Sequence, residues 1–129
     1  MNWSNFPDFN EKEFFIGDPP YPGVMNEDFM SKLQAARTIA GVPFEINSGF
    51  RTTEHNQQVG GKPDSTHLLG RACDIKVVDS RTRINIVKSL LLAGFTRIGI
   101  GKDFVHVDNG EEVGKPYDPN VMWTYYPET

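Results

Sequence analysis

Two strand-like segments in the second half of the chain, Arg97–Ile100 and Phe104–Asp108, are joined by only three residues. So short a connection favours a hairpin, and the two strands are therefore expected to be antiparallel neighbours. Because side chains alternate along a strand, Val105 and Val107 share one face. The opposite face carries Phe104, His106 and Asp108. A histidine and an aspartate thus lie on the same surface of the predicted sheet.

Helical periodicity appears twice before this hairpin. Asn26 is suited to cap a helix whose apolar residues recur every three to four positions, as expected for an amphipathic helix, until Gly41. A second amphipathic run begins at about Ser80, the expected N-cap, and ends at Gly94, where glycine favours termination; its apolar residues are Ile84, Val87, Leu90 and Leu91. A brief helix is expected at 54–59. These runs supply apolar faces that must pack against another element.

Short strands are expected at 44–46 and at 72–78, with Asp74 on the face of the second strand that is opposite to its apolar side. Three prolines in 17–23 exclude a helix there and predict a surface loop or an extended arm. The tail 111–129 is expected to be irregular, with aromatic residues that fold back onto the body: Trp123, Tyr125 and Tyr126. The predicted fold class is α+β, with a small, mainly antiparallel sheet, helices on one side and a site on the other.

Composition limits the classes of protein to consider. A chain of 129 residues with 38% hydrophobic and 23% charged residues is typical of one globular domain, here residues 1–129. The formal net charge of −4 argues against a nucleic-acid partner, because such binding uses a basic surface. Cys73 is the only cysteine, which excludes an intramolecular disulfide and a zinc site built from several cysteines.

The amino-terminal residues lack the basic start and apolar run of a signal peptide. No segment approaches the ~18 consecutive apolar residues that a membrane-spanning helix needs. We therefore expect a protein that is made in the cytoplasm without a signal peptide and has no membrane partner. If its target lies outside the cytoplasm, it reaches that target after release from the cell or as part of a virion.

The residues with metal-binding chemistry are concentrated between Ser65 and Asp74. A catalytic zinc site uses three protein ligands, for which imidazole nitrogen and carboxylate oxygen are both suited. His67 and Asp74 could converge if the chain turned at Gly70, and His106 is the better of the remaining histidines for the third ligand. The alternative is an ordinary structural pair of a histidine and an aspartate.

The pattern in this region, Ser-x-His-x-x-Gly-x-Ala-x-Asp, is complete from Ser65 to Asp74. With it, the chain resembles the M15 family of zinc D,D-peptidases and related endolysins. Further similarity lies in Ser48-Gly49-Phe50-Arg51, in His55-Asn56 with Val59-Gly60-Gly61, and in the segment from Gly94 to Asp108. The resemblance covers about 9–108 and implies the fold of the hedgehog and D,D-peptidase domains, with the zinc cleft on the exposed face of the sheet.

The resemblance implies a role for each matched residue. His67, Asp74 and His106 would bind one zinc ion, which lowers the pKa of a bound water from ~15.7 toward ~7. Asp103, three positions before His106, would be the catalytic base. Without the resemblance, Asp103 reads as a hairpin-turn residue, because aspartate is favoured in turns. Arg51 would bind substrate and stabilise the oxyanion of the transition state, or it would form a surface ion pair.

Two other polar residues near the motifs, Ser65 and Asp108, each have two possible interpretations. Ser65 either donates a hydrogen bond to substrate or orients the loop of His67. Asp108 either fixes the imidazole of His106 or faces solvent. His55 is expected to make a structural hydrogen bond and not to bind metal, and Cys73 is expected to be a small buried residue.

The implied activity is zinc-dependent hydrolysis of a peptide bond in the stem peptide of peptidoglycan. The bond is either D-alanyl-D-alanine, cut by a carboxypeptidase, or L-alanyl-D-glutamate, cut by an endopeptidase. A short chain of this kind suits a phage lysis enzyme (endolysin) or a virion-associated peptidase, and it is expected to be a monomer. The competing interpretations are a non-catalytic zinc-bearing binding module and a structural virion component.

Overall fold

The computed structural model describes residues 1–125, so the expected contact of Tyr126 lies outside the described residues. The helices are α1 (Glu27–Ala40), α2 (Thr53–Gln58) and α3 (Ser80–Leu92). The strands are β1 (Ile46–Ser48), β2 (Ala72–Lys76), β3 (Arg97–Ile100), β4 (Phe104–Asp108) and β5 (Val121–Thr124). Short 3₁₀ turns occur at Trp3–Asn5, Glu11–Phe14, Thr66–Leu69 and Gly110–Glu112.

The strands form one five-stranded sheet in the order β1-β2-β4-β3-β5. The pairs β1–β2, β2–β4 and β4–β3 are antiparallel, whereas β5 is parallel to β3. The expected hairpin of β3 and β4 is present, with Gly99 opposite His106. The α+β class and the mainly antiparallel sheet are therefore confirmed.

Helices α1 and α3 pack together and cover one face of this sheet. The side chains between the layers are completely or almost completely buried, and each contributes ~1.5–3 kcal/mol through removal from water. They include Phe29, Leu33, Cys73, Ile75, Ile86, Leu90, Ile98, Val105 and Val107. This arrangement confirms helices on one side, and it leaves the opposite face of β2 and β4 for polar residues.

The helices begin where side chains satisfy their first backbone donors. The Asn26 side chain accepts a hydrogen bond from the backbone of Phe29 at 2.9 Å, as the sequence predicts. The second long helix is capped by Asp79 and not by Ser80, because the Asp79 carboxylate accepts from the Thr82 amide at 2.7 Å. Its buried side also differs from the expected apolar run, since Ile84 is 64% exposed.

The strand expected at 44–46 is displaced, and β1 begins at Ile46. Phe44 is instead a buried core residue that precedes the strand. The carbonyl of Glu45 still accepts a hydrogen bond from the Lys76 amide at 2.8 Å, so the chain approaches β2 before regular pairing starts. The error concerns a boundary and leaves the order of elements unchanged.

The expectation of an irregular tail was wrong in part, since Val121–Thr124 forms strand β5. The Val121 amide donates to the Thr96 carbonyl and the Tyr125 amide to the Ile100 carbonyl, both at 2.9 Å. These bonds hold the strand along the whole free edge of β3. The tail does fold back onto the body, as expected, through Trp123 and Tyr125.

The amino-terminal segment supports the loops that lead into the polar face. The Phe50 amide donates to the Phe14 carbonyl at 2.9 Å, and the Asn26 amide donates to the Gly70 carbonyl at 2.7 Å. Gly49 lies so close to the Phe14 backbone that an added Cβ would be 2.7 Å from its Cα atom. Among residues 1–125, no helix combines the length and the apolar character needed to cross a membrane.

Candidate metal site

Strands β2 and β4 bring an acid and a histidine directly together. Asp74 and His106 are paired positions of these antiparallel strands, and both point away from the helices. The Nδ1 atom of His106 lies 3.0 Å from Oδ1 of Asp74. Their alternation with buried apolar neighbours explains this placement, because Cys73 and Ile75 occupy the core face.

His67 reaches the same point from the loop before β2. The Ser65 hydroxyl accepts a hydrogen bond from the His67 amide at 3.3 Å and caps the 3₁₀ turn. Gly70 ends the turn in the left-handed region with φ of 67°. An added Cβ at Gly70 would collide with the Val24 carbonyl oxygen. The expected turn at Gly70 is present, and Ser65 caps the turn that carries His67.

The ring of His67 is held through Nδ1, the nitrogen that does not face Asp74. Its Nδ1 lies 2.7 Å from the Gly49 carbonyl oxygen, which can only accept a hydrogen bond, so Nδ1 carries the proton. The other nitrogen, Nε2, is therefore unprotonated in the neutral ring and lies 3.3 Å from Oδ1 of Asp74. A backbone carbonyl that sets the tautomer is the usual partner of a metal-binding imidazole.

Three potential ligand atoms converge here, from His67, Asp74 and His106, and all lie within 4.8 Å of one another. Two imidazole nitrogens and one carboxylate oxygen form a donor set suited to zinc, which leaves a fourth position for water or substrate. The two histidine side chains are only 3% and 6% exposed. The sequence-predicted ligand set is therefore brought together in the structure.

Asp108 holds the second nitrogen of His106. Its Oδ2 lies 2.7 Å from His106 Nε2, and its other oxygen accepts from Nε of Arg97 at 2.6 Å and from the Gly110 amide at 2.9 Å. The Asp108 side chain is 1% exposed. Of the two readings of Asp108, the structure supports the one in which it fixes the imidazole.

Hydrogen bonds and charge within the cluster shift the pKa values of His106 and Asp74. Burial alone would lower the pKa of His106, but hydrogen bonds to Asp108 and Asp74 outweigh it and raise that pKa to about 9. Burial alone would raise the pKa of Asp74, but hydrogen bonds and charge from His106 and His67 hold it well below its ordinary value. Protons and a metal ion therefore compete for the same lone pairs.

Arg51 lies against the open side of Asp74. Its Nη2 atom is 3.5 Å from Oδ2 of Asp74. Its Nε donates to the Ser48 hydroxyl at 3.2 Å and its Nη1 to the Asn56 side-chain oxygen at 3.3 Å. The guanidinium is 15% exposed and lines the cleft. Arg51 does form an ion pair, with Asp74, but the pair lies in the cleft and is largely buried.

Asp103 is not brought into this cluster. It is exposed in the turn before β4, its backbone carbonyl accepts from the Val77 amide at 2.9 Å, and its side chain is outside the cleft lining. Asp103 precedes β4, so the alternation of that strand does not direct its side chain into the site. The structure shows the turn geometry and leaves the role of catalytic base to experiment.

His55 and Cys73 are both placed as expected. His55 lies in α2 beside a separate small pocket and is outside the metal cluster. Its backbone amide donates to the Thr52 hydroxyl at 3.1 Å, so the residue takes part in the helix cap. Cys73 is fully buried on the core face of β2.

The cleft above the cluster has a volume of about 750 Å³, which falls within the range of small-molecule and peptide sites. Its walls include polar residues of the 59–65 loop and residues of the carboxyl-terminal segment. Lys62 and Asp64 belong to that loop, and Arg97, which the sequence analysis missed, lines the cleft as well. The signal for Arg97 was its position two residues before Gly99 on β3, which places it on the same face as the site.

The comparisons with known proteins agree with this geometry. The chain is 36% identical over 88 residues to a zinc D-Ala-D-Ala carboxypeptidase from Streptomyces albus G, a match that covers 64% of this chain and 34% of the relative. The chain thus spans about a third of the length of that curated relative. A family model described as peptidase M15 matches residues 12–108. That stretch covers most of the chain and contains all three converging ligands, so the protein belongs to the peptidase M15 family.

Proposed function

We propose that this protein is a zinc-dependent peptidase that hydrolyses a peptide bond in the stem peptide of bacterial peptidoglycan. One observation carries the proposal: His67, Asp74 and His106 converge at the floor of an open cleft within a peptidase M15 sequence. The relative from Streptomyces albus G, named for zinc and for D-Ala-D-Ala, supports the choice of metal and of substrate class.

The donor atoms fit zinc on chemical grounds. His67 Nε2, Asp74 Oδ1 and His106 Nδ1 would hold the ion, and the remaining nitrogen of each ring is already bonded to a carbonyl or a carboxylate. A bound zinc ion supplies a Lewis acid that polarises a carbonyl and lowers the pKa of water in the open position. The deep burial of both rings excludes bulk water from two sides of the cluster.

Asp103 is the proposed general base, on the strength of its place three positions before His106. A base must come within hydrogen-bond reach of the proton it accepts, although such contacts are often long before substrate binds. The competing cleft carboxylates are less suited. Asp108 is bonded to His106 and Arg97, and Asp74 is a proposed zinc ligand. Asp64 remains as an exposed acid at the rim.

Arg51 is proposed to stabilise the oxyanion of the transition state and to bind substrate. The guanidinium is held by three side chains, so its orientation is fixed before substrate arrives. Preorganised donors of this kind stabilise developing charge without reorganisation. Ser65, half-buried in the cleft lining, is proposed to contact substrate as well as to cap the His67 turn.

Digestion of purified peptidoglycan tests the proposal and selects the bond. Zinc-loaded protein is incubated with wall material, and the products are analysed by mass spectrometry. Free D-alanine identifies a D-alanyl-D-alanine carboxypeptidase, whereas a new D-glutamyl amino terminus identifies an L-alanyl-D-glutamate endopeptidase. A His67→Ala protein is the control for contaminating hydrolases. Absence of any new terminus with the zinc-loaded protein contradicts the proposal.

The exposed position of Asp103 favours one alternative, a zinc-bearing module that binds wall peptide without cutting it. A protein fold can persist where catalysis is lost. The digestion separates the two proposals when it is paired with a sedimentation assay on the same wall material. Binding without new termini supports the module, and new termini exclude it.

The biological setting belongs to the proposal too. The resemblance in the Ser65–Asp74 motif extends to phage endolysins, which supports a role in host lysis or in a virion. We expect a monomer that acts as one domain and binds neither nucleic acid nor membrane. Light scattering at micromolar concentration tests the monomer, and lysis of permeabilised bacteria upon addition of the protein tests the lytic role.

A further inference from the structure

A row of paired positions crosses the sheet on the face of the metal site. Asp74 pairs with His106, His106 with Gly99, and Gly99 with Trp123. Paired residues on neighbouring strands share a face, so Trp123 belongs to the same surface as the ligands. Of the four residues in this row, only Gly99 has no side chain.

Gly99 is the reason that aromatic rings reach the ligands. A Cβ built there would lie 2.7 Å from Nε1 of Trp123 and 2.7 Å from Cε2 of Tyr125, so any side chain would displace both rings. With glycine, the ring centre of Trp123 lies 5.5 Å and that of Tyr125 6.5 Å from the ring centre of His106. The aromatic wall, defined as Trp123 and Tyr125, therefore stands directly beside the metal site.

The wall is held in position from both sides. The Arg97 guanidinium lies over the Trp123 ring at 5.3 Å and also binds Asp108, the partner of His106. The Phe104 ring contacts Tyr125 with centres 5.2 Å apart. A guanidinium is attracted to the face of an indole ring, because that face carries negative charge density. The orientation of the rings is thus tied to the same residues that orient His106.

The wall adds little to the hydrophobic core. Strand β5 is exposed along most of its length, Tyr125 is 50% exposed, and neither ring belongs to the buried core. Two large aromatic side chains that line a cleft without packing in a core are available for a ligand. The segment also lies beyond residues 12–108, the part that the family model matches.

We propose that Trp123 and Tyr125 are specificity-determining residues that pack against the alanine methyl group next to the scissile bond. This inference rests on the proposed function. Aromatic faces offer apolar contact area at low entropic cost, and the stem peptide presents small methyl side chains between polar groups. Arg51 lies across the metal cluster and serves the polar groups of the same peptide.

The test compares two synthetic stem peptides. One has alanine next to the scissile bond, the other has glycine at that position, and they are otherwise identical. We expect the wild type to prefer alanine by about tenfold in kcat/KM, the lower end for one methyl-sized group in an apolar site. Trp123→Ala should reduce that preference to less than about threefold, mainly through KM, with zinc content unchanged. Tyr125→Phe keeps the ring and should keep the preference, whereas Tyr125→Ala should weaken it.

Met122→Ala is the matched control, because Met122 lies on the same strand, is 54% exposed and is outside the cleft lining. Its preference should equal that of the wild type. If Trp123→Ala cleaves both peptides with the wild-type ratio, the wall proposal is overturned while the proposed function stands.

If the wild type cleaves neither peptide, calorimetric binding of the same peptides to the zinc-loaded protein decides the matter. Alanine-selective binding that Trp123→Ala abolishes supports the wall and contradicts the peptidase proposal. Binding without selectivity, or no binding at all, overturns both.

Discussion

Asp108 and His106 lie two residues apart on β4 and are joined by a hydrogen bond of 2.7 Å between Oδ2 and Nε2. Because Asp108 accepts the proton of Nε2, Nδ1 is the nitrogen left to bind zinc once it loses its own proton, which it shares with Asp74. A residue that never touches the metal thus decides which nitrogen of His106 can bind it.

The first prediction concerns this bond. Asp108→Asn removes the charge that orients and polarises the imidazole, and we expect zinc affinity to fall by ~10–100-fold, as for other partners of metal-binding histidines. Competition titration with a chelating dye measures the change. Asp118→Asn is the control, because only its backbone carbonyl contacts Arg97. Equal zinc affinity in Asp108→Asn and the wild type would show that the bond is incidental.

The second prediction concerns the ligands themselves. The purified protein should carry about one zinc ion per chain, as expected for a catalytic site with a single set of ligands. His67→Ala and His106→Ala should lose the metal and the activity, because two remaining ligands hold zinc weakly. Elemental analysis after gel filtration gives the ratio. His55→Ala should retain full zinc, and loss of zinc in that variant instead would assign the wrong histidine.

The third prediction separates chemistry from binding. Asp103→Asn should keep zinc and fold but lose ~10²–10⁴-fold in kcat, since an amide cannot accept a proton from water. Lys102→Ala, an exposed change in the same turn, should be unaffected and controls for disturbance of the hairpin. If Asp103→Asn retains activity within about threefold while zinc-depleted protein is inert, Asp103 is only a turn residue. Asp64 is then the next acid to test.

The fourth prediction concerns Arg51. Arg51→Lys keeps a positive charge but loses the planar fork, and we expect kcat/KM to fall by ~10²–10³-fold if the residue serves as an oxyanion donor. Zinc content should be unchanged. Arg37→Ala removes a surface pair with Asp8 at 3.6 Å and should leave kinetics unchanged. Wild-type kinetics in Arg51→Lys would restrict the role of Arg51 to holding charge near Asp74.

The sequence was most informative where local rules decide the structure. Strand alternation places Asp74 and His106 on the polar face, and the short connection before β4 requires an antiparallel neighbour. Both inferences need only the nearest residues along the chain. Asp103 lies before β4, where this alternation does not apply, and only the resemblance to relatives suggested its role.

Strand β5 could not be predicted in this way. Val121 and Met122 are 36% and 54% exposed, so the segment has no clear apolar period. Its pairing is with β3, more than twenty residues earlier in the chain and parallel, and such a contact depends on tertiary structure. The sequence therefore predicted that Trp123 and Tyr125 fold back onto the body, but not the strand that places them beside the ligands.

The last prediction tests the turn that delivers His67. Gly70 has φ of 67° and an added Cβ would meet the Val24 carbonyl oxygen, whereas Gly41 has the same φ of 67° with nothing within 4 Å. A non-glycine residue in the left-handed region costs ~1–3 kcal/mol. Gly41→Ala should therefore lose about that much stability in urea unfolding, with zinc binding intact.

Gly70→Ala carries the same strain and must also displace the backbone at Val24, which breaks the hydrogen bond from the Asn26 amide to the Gly70 carbonyl. We expect it to be less stable than Gly41→Ala by a further ~1–2 kcal/mol and to bind zinc more weakly, because His67 lies in the displaced turn. Equal losses in the two variants, with equal zinc affinity, would show that the turn tolerates the added methyl group and that the position of His67 does not depend on this close approach.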